Sequence, residues 1–181
     1  MDPIKIIEKY YKEHPEAKRF LLAHGSMVAK KALEVAKRLS HLAPDMDFIK
    51  EAALLHDIGI FLTYAPDIGC HGDKPYILHG ILGREILESE GLPRHAIVCE
   101  THVGVGLTIE DIKKNKFPLP LRDMTPKTLE EKIIGYADKF FSKSKDPLRE
   151  KPLEYVRKEI GGYGEDKLKV FDEWAKLFGD M

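Results

Sequence analysis

His56 and Asp57 stand side by side at the end of an apolar run, Ala52-Ala53-Leu54-Leu55-His56-Asp57-Ile58-Gly59. Ile49, Ala52, Ala53 and His56 fall at i, i+3, i+4 and i+7, the spacing of one helical face, so His56 belongs to the side that should be buried. Asp57 follows about 100° further round the turn. A buried carboxylate without a partner costs several kcal/mol, and a metal ion is one group that removes that cost. Four more residues share the oddity. His24 is framed by Phe20, Leu21, Met27 and Val28, one turn before and one turn after it. His79 opens the pattern His79-Gly80-Ile81-Leu82, and His102 follows Val98 and Cys99 on an inner face. Asp138 lies between Ile134 and Phe141, again on an apolar face. A lone buried histidine is more often a hydrogen-bonded core residue, and a lone inward aspartate a cap or ion-pair partner. The set is different, because a bundle brings the inward faces of separate helices together and builds metal sites from them.

Imidazole nitrogen and carboxylate oxygen suit iron, manganese, nickel or zinc. Six ligands exceed what one catalytic ion takes from protein while keeping a position open. The number favours two divalent transition metal ions, with Asp57 able to bridge them. Two ions about 3.5–4 Å apart clamp a phosphoryl group and lower the pKa of a shared water.

The elements that must carry these residues are helical nearly throughout. The patterns predict helices over residues 3–13 and 16–40, and a third from Asp45 or Asp47 to about Gly59. Residues 60–77, with Pro66, Gly69, Gly72 and Pro75, read as a loop. Helical patterns resume at 78–90 and 93–102. Residues 103–125 are irregular, with one short helix after Thr108-x-x-Asp111. Thr125-Pro126 predicts a helix start with proline in the first turn, running to about Lys143. Two amphipathic helices, near 147–160 and 165–178, close the chain. Strand alternation and internal repeats are absent. The expected fold is all-α: a single domain over residues 1–181, with a core of about 16–143, an N-terminal helix and a C-terminal helical extension of about 147–180. Tyr155, Phe171, Trp174 and Phe178 of that extension could pack on the core or form a homodimer surface.

A chain of 181 residues, 43% hydrophobic and 33% charged, reads as a globular protein able to bury a sizeable core. Its 29 basic and 30 acidic residues leave a formal charge of −1. That balance gives no field for nucleic acid or an anionic membrane, although a local basic pocket is compatible with it. Cys70 and Cys99 are too few for a disulfide framework. The N-terminus lacks signal-peptide character and no apolar run reaches membrane length, so a cytoplasmic location is expected. One Asn and no Gln beside abundant Lys and Glu resembles the composition of heat-adapted proteins.

The order His24 … His56-Asp57 … Asp138 resembles the HD-domain metal-dependent phosphohydrolases, and Leu54-Leu55-His56-Asp57-Ile58-Gly59 resembles their HDIG subgroup. His79 and His102 match two further histidines of members with a dinuclear centre, and Tyr136-Ala137-Asp138-Lys139 resembles the segment carrying the last aspartate. The resemblance covers roughly residues 20–143. It implies a bundle of about five core helices that hydrolyses phosphoester or phosphoanhydride bonds of a nucleotide, a dinucleoside polyphosphate or another small phosphorylated molecule. It implies that His24, His56, Asp57 and Asp138 hold one ion, and that His79 and His102, with Asp57 as bridge, hold the other. A hydroxide shared by the two ions would attack phosphorus. Ile60 departs from the pattern, standing where a phosphate-binding lysine often follows the glycine.

For the substrate side, Lys74 and His71 are the candidates in loop 60–77, which lies beside the metal mouth and could act as a lid. His71 could protonate the leaving oxygen. Arg84 and Lys139 read as solvated cations, Asp73 as a turn former, and His14, His41 and His95 as surface residues. Glu100 and Thr101 could accept hydrogen bonds from the metal-bound imidazoles. Two other functions are compatible with the same residues. The ligand pattern also resembles a small branch of mixed-valent di-iron oxygenases, and a non-catalytic nucleotide-binding protein could retain a vestigial site.

Overall fold

The computed structural model describes residues 1–143 and 148–181. Its helices are α1 (Pro3–Tyr10), α2 (Pro15–Arg38), α3 (Met46–Leu55), α4 (His79–Ser89), α5 (Pro93–Thr101), α6 (Ile109–Asn115), α7 (Leu129–Asp138), α8 (Leu153–Gly161) and α9 (Glu165–Leu177). Local chemistry sets most of their starts. Pro3, Pro15 and Pro93 stand in first turns, where a missing N–H costs nothing. Asp45 caps α3 by accepting from Phe48 N at 3.0 Å. Thr108 and Asp111 form the reciprocal capping box at the start of α6.

The seventh helix begins at Leu129 rather than beside Pro126. Thr128 is the better cap: its hydroxyl accepts from Glu131 N, while Glu131 Oε2 accepts from Lys127 N at 2.7 Å. The same helix stops at Asp138, short of Lys143. Three successive i→i−3 bonds, from Lys139, Phe140 and Phe141, tighten and end it. Residues 60–77 are more ordered than a plain loop. They contain short 3-10 turns and an antiparallel pair of two-residue strands, β1 (Tyr64–Ala65) and β2 (Cys70–His71), with Tyr64 opposite His71. Strands this short have no period to read. Of the predicted helix at 147–160, residue 147 lies outside the described residues.

Helices α2, α3, α5 and α7 pack around one apolar core, which α8 and α9 extend. Phe171, Trp174 and Phe178 are buried there, and the Tyr136 ring lies 5.1 Å from both Phe171 and Phe178. Each such aromatic contributes roughly 1.5–3 kcal/mol through burial. The C-terminal helices therefore pack on the core. Tyr155 stays exposed. A second core, with Ile7, Tyr11, Leu21, Leu55, Ile58 and Ile60, joins α1, the start of α2, the turn after α3 and α4. Ile60 is fully buried in it. Among the described residues, no helix is long and apolar enough to cross a membrane.

Candidate metal centre

The cluster forms where four helix ends meet the middle of α2. His24 sits on the inward face of α2, its ring stacked 5.7 Å from Phe20. His56 caps the end of α3, and Asp57 lies in the turn that follows, held by the Ile60 N to Asp57 O bond of 3.0 Å. His79 opens α4, His102 caps α5, and Asp138 is the last residue of α7. Gly59 lets these ends converge: a β-carbon there would stand 2.3 Å from the His79 carbonyl oxygen and 2.5 Å from Gly83 N.

All six side chains are buried. They form two overlapping groups, His24, His56, Asp57 and Asp138 in one, and Asp57, His79 and His102 in the other; ligand atoms within each lie no more than 4.8 Å apart. In the first, Asp138 Oδ1 is 2.9 Å from His24 Nε2 and 3.4 Å from His56 Nε2, while Asp57 Oδ2 lies 3.5 Å and 3.4 Å from the same nitrogens. In the second, Asp57 Oδ1 lies 3.4 Å from His79 Nε2 and 3.1 Å from His102 Nε2. Asp57 thus presents one oxygen to each group.

The histidine donors are aimed by the backbone. His56 Nδ1 donates to Ala53 O at 2.7 Å, His79 Nδ1 to Tyr76 O at 2.7 Å, and His102 Nδ1 to Cys99 O at 2.8 Å. A carbonyl only accepts, so Nδ1 carries the proton and Nε2 turns inward. Glu100 and Thr101, expected to take this part, do not: Glu100 is bridged by Arg84 and Arg122, and the Thr101 hydroxyl donates to Ile97 O.

Burial lowers the His79 pKa to about 3, with the Lys143 charge adding to the effect. Burial likewise lowers His102 to about 4, against the hydrogen bond to Asp57. Both rings are therefore neutral at ordinary pH. Their Nε2 atoms nevertheless face each other at 3.2 Å. Two lone pairs this close repel unless a positive charge lies against them. Among the described residues, buried His56 Nε2 and Asp57 Oδ2 have no hydrogen-bond partner, and such orphans are rare without a ligand to satisfy them. The donor set fits borderline divalent metals.

His56 differs from its neighbours. Burial alone would lower its pKa, but the Asp57 and Asp138 carboxylates outweigh it and raise the value to about 9. Both carboxylates are held well below the ordinary range: burial opposes ionisation, and Lys143 and His56 overcome it at Asp57, Lys139 and Lys143 at Asp138.

A matching family model places an HD domain over residues 21–142. The chain belongs to the HD domain family. A tRNA (cytidine(56)-2'-O)-methyltransferase of Thermoplasma volcanium is 29% identical over 153 residues, which cover 80% of this chain and 40% of that protein. The chain thus spans under half the length of that relative. An uncharacterized protein of Methanocaldococcus jannaschii is 31% identical over 144 residues, 78% of each chain. Among solved structures, the HD domain of the L. monocytogenes phosphodiesterase PgpH matches with a TM-score of 0.56 at 19% identity, covering 97% of this chain and 98% of that one. The same domain in complex with cyclic-di-AMP matches with a TM-score of 0.55. These likenesses carry the helical fold.

A cavity of about 790 Å³ opens over this HD-domain cluster, reaching His79, His102 and Asp138 at its floor and α6, α8 and α9 at its far wall. Among the described residues, Lys114, Lys139, Lys143, Lys151 and Lys167 line it against three carboxylates, a surplus of two positive charges in a chain of net charge −1. Lys139 is largely buried rather than solvated: its ammonium donates to Asp138 Oδ2 at 2.7 Å and to His102 O at 2.9 Å. Lys143 donates to Asp57 Oδ1 at 2.7 Å. Sequence reasoning missed Lys143 because it lies beyond the end of α7, where no helical face assigns it a direction. The available signal was its place four residues after Lys139.

His71 and Lys74 are not brought to this cavity. His71 is exposed on β2, and Lys74 is half exposed beside Asp73. On β2 the inward place is taken by Cys70, which is fully buried, so the alternation leaves His71 facing solvent. Arg84 is engaged by Glu88 and Glu100. His95, expected at the surface, is buried against Phe48 with Nε2 3.3 Å from Glu51.

Proposed function

We infer that this HD domain is a metal-dependent phosphohydrolase with a two-ion centre, acting on a small phosphorylated substrate of the nucleotide class. The observation that carries the reading is Asp57, fully buried, giving one oxygen to each of two ligand groups under a net-positive cavity. His24, His56, Asp57 and Asp138 would hold one divalent ion, and Asp57, His79 and His102 the other. Bound there, two such ions supply Lewis acidity toward a phosphoryl oxygen and lower the pKa of water.

The chain's own residues do the rest. The carbonyls of Ala53, Tyr76 and Cys99 keep three imidazoles oriented with Nε2 inward. Lys139 fixes Asp138 and ties α7 to the end of α5 through His102 O. The lysine wall attracts the anionic substrate and neutralises charge that grows on the phosphoryl group. In this reading Lys139 and Lys143 take the phosphate-binding part that Ile60 cannot. His71 and Lys74 keep a role only if the hairpin folds over the cavity in the substrate complex.

Phosphodiesters belong on the substrate panel because the similar PgpH domain is named a phosphodiesterase and was solved with cyclic-di-AMP. Dinucleoside polyphosphates, nucleotides and simple phosphomonoesters complete it. Protein purified without chelators should contain up to two equivalents of transition metal and hydrolyse at least one class. Metal-replete protein that is inert across the panel with iron, manganese, nickel and zinc counts decisively against the proposal.

A further inference from the structure

The two ligand groups are unequal in one respect. In the first, the inward oxygens are Asp57 Oδ2 and Asp138 Oδ1, and neither meets an ammonium among the described residues; Lys139 sits on the outer oxygen, Asp138 Oδ2. In the second, the only carboxylate oxygen among the described residues is Asp57 Oδ1, and Lys143 Nζ lies 2.7 Å from it, closer than His102 at 3.1 Å or His79 at 3.4 Å.

One oxygen cannot hold an ammonium at hydrogen-bond distance and a divalent ion at the same time without placing two like charges in contact. The lysine stem has four rotatable bonds, so the ammonium can leave Asp57 without moving the backbone. A polar neighbour is ready for it. The Tyr76 hydroxyl is buried and has no hydrogen-bond partner among the described residues, its ring centroid lies 5.9 Å from Lys143 Nζ, and it lines the same cavity.

We propose that Lys143 is a built-in competitor of the second metal ion. The inference rests on the two-ion reading above. The first ion binds to oxygens that carry no ammonium. The second binds only by turning Lys143 off Asp57 and into the cavity, where its charge joins the wall that faces the substrate. A polyanion in the cavity favours the turned-out ammonium and therefore favours the second ion, and by linkage the second ion favours the polyanion to the same degree. The chain is then poised between one-ion and two-ion states.

The probe is manganese(II) alone, titrated into metal-stripped protein and followed by calorimetry and by the paramagnetic resonance signal of exchange-coupled manganese pairs. Wild type should bind in two phases. Lys143→Met, which keeps the stem and removes the charge, should tighten the second phase by about tenfold or more and leave the first unchanged. Coupled pairs should form at correspondingly lower manganese. Lys143→Arg should keep the weak second phase, which a merely structural role would not require. Thermal melting confirms that each variant is folded. Two ions bound with equal second-phase constants in wild type and Lys143→Met overturn the proposal and leave the two-ion reading standing. One ion bound in both overturns the two-ion reading and the proposal with it.

Discussion

Gly59 packs against His79 so closely that a β-carbon would stand 2.3 Å from the His79 carbonyl oxygen. The neighbour is backbone, so it cannot yield by rotating a side chain. This contact lets the turn carrying Asp57 lie directly against the first residue of α4. Gly59→Ala should force the two apart, with a cost of roughly 1–3 kcal/mol or more and a melting temperature lower on the order of 5–10 °C. The displaced element carries His79, so the second ion should be lost before the first. Calorimetric melting and manganese stoichiometry test this, and wild-type values for both would show that the close approach is unimportant.

Lys139 is a nearly buried ammonium whose partner is a buried carboxylate. Burial lowers its pKa, and Asp138 opposes that shift. Breaking such a pair leaves an uncompensated charge inside, so Lys139→Met should destabilise the metal-free protein by about 3 kcal/mol. Saturating manganese should recover part of the loss, because the ion becomes the new partner of Asp138. Denaturant unfolding with and without metal measures the difference. A loss that manganese does not reduce would place the effect in packing rather than in charge.

The hairpin candidates make the opposite prediction. His71 and Lys74 lie outside the cavity wall, while Lys139 and Lys143 form it. His71→Ala and Lys74→Ala should change kcat/KM by no more than about twofold, below ~0.5 kcal/mol of transition-state stabilisation. A hundredfold loss in either would mean that the hairpin closes over the substrate.

The buried histidine and aspartate cluster is readable in the sequence because burial conflicts with residue type. His24, His56 and Asp138 sit at positions that helical spacing assigns to the core, and a polar group there demands a reason. The apolar face of α9 was readable in the same way, since Phe171, Trp174 and Phe178 fall at i, i+3 and i+7, but the spacing left open whether it packs on the core or on a second copy. The cationic end was not readable. Lys143 reaches Asp57 from beyond the three tight turns that end α7 at Asp138. No periodic pattern survives such a turn. The acceptors for the imidazole protons were hidden for another reason: they are backbone carbonyls, and side-chain identity says nothing about them. Helix ends were overrun at Tyr10, Leu55 and Asp138, where the apolar spacing continues through turns that are no longer α-helical.

Asp57 belongs to both ligand groups, whereas His102 belongs to one. Asp57→Ala should therefore empty both positions and lower hydrolysis on the order of a thousandfold or more. His102→Ala should remove only the second ion. Metal analysis after dialysis against manganese separates the two patterns. An Asp57→Ala protein that retains two ions would refute the bridging assignment.

The four histidines give the metal-free protein a defined pH optimum. His56 has its folded pKa raised to about 9 from 6.5, so its contribution to stability is complete below 6.5 and is lost as pH rises through 9. His79 and His102 are shifted the other way, to about 3 and 4. The folded state keeps them neutral while the unfolded chain takes up protons below 6.5, so stability also falls as pH drops from 6.5 toward 3. His24 is shifted in the same downward direction, mainly by burial. Metal-free protein should be most stable near pH 6.5. Metal binding reverses the upper limb, because His56 must release its proton to offer Nε2. Manganese affinity at the first position should rise by up to tenfold per pH unit until about 9, with close to one proton released per ion. Denaturant unfolding across pH 4–10 and calorimetry in buffers of different ionisation enthalpy measure both limbs. A manganese affinity independent of pH between 6.5 and 9 would mean that His56 is already neutral in the metal-free protein and that Asp57 and Asp138 do not share its proton.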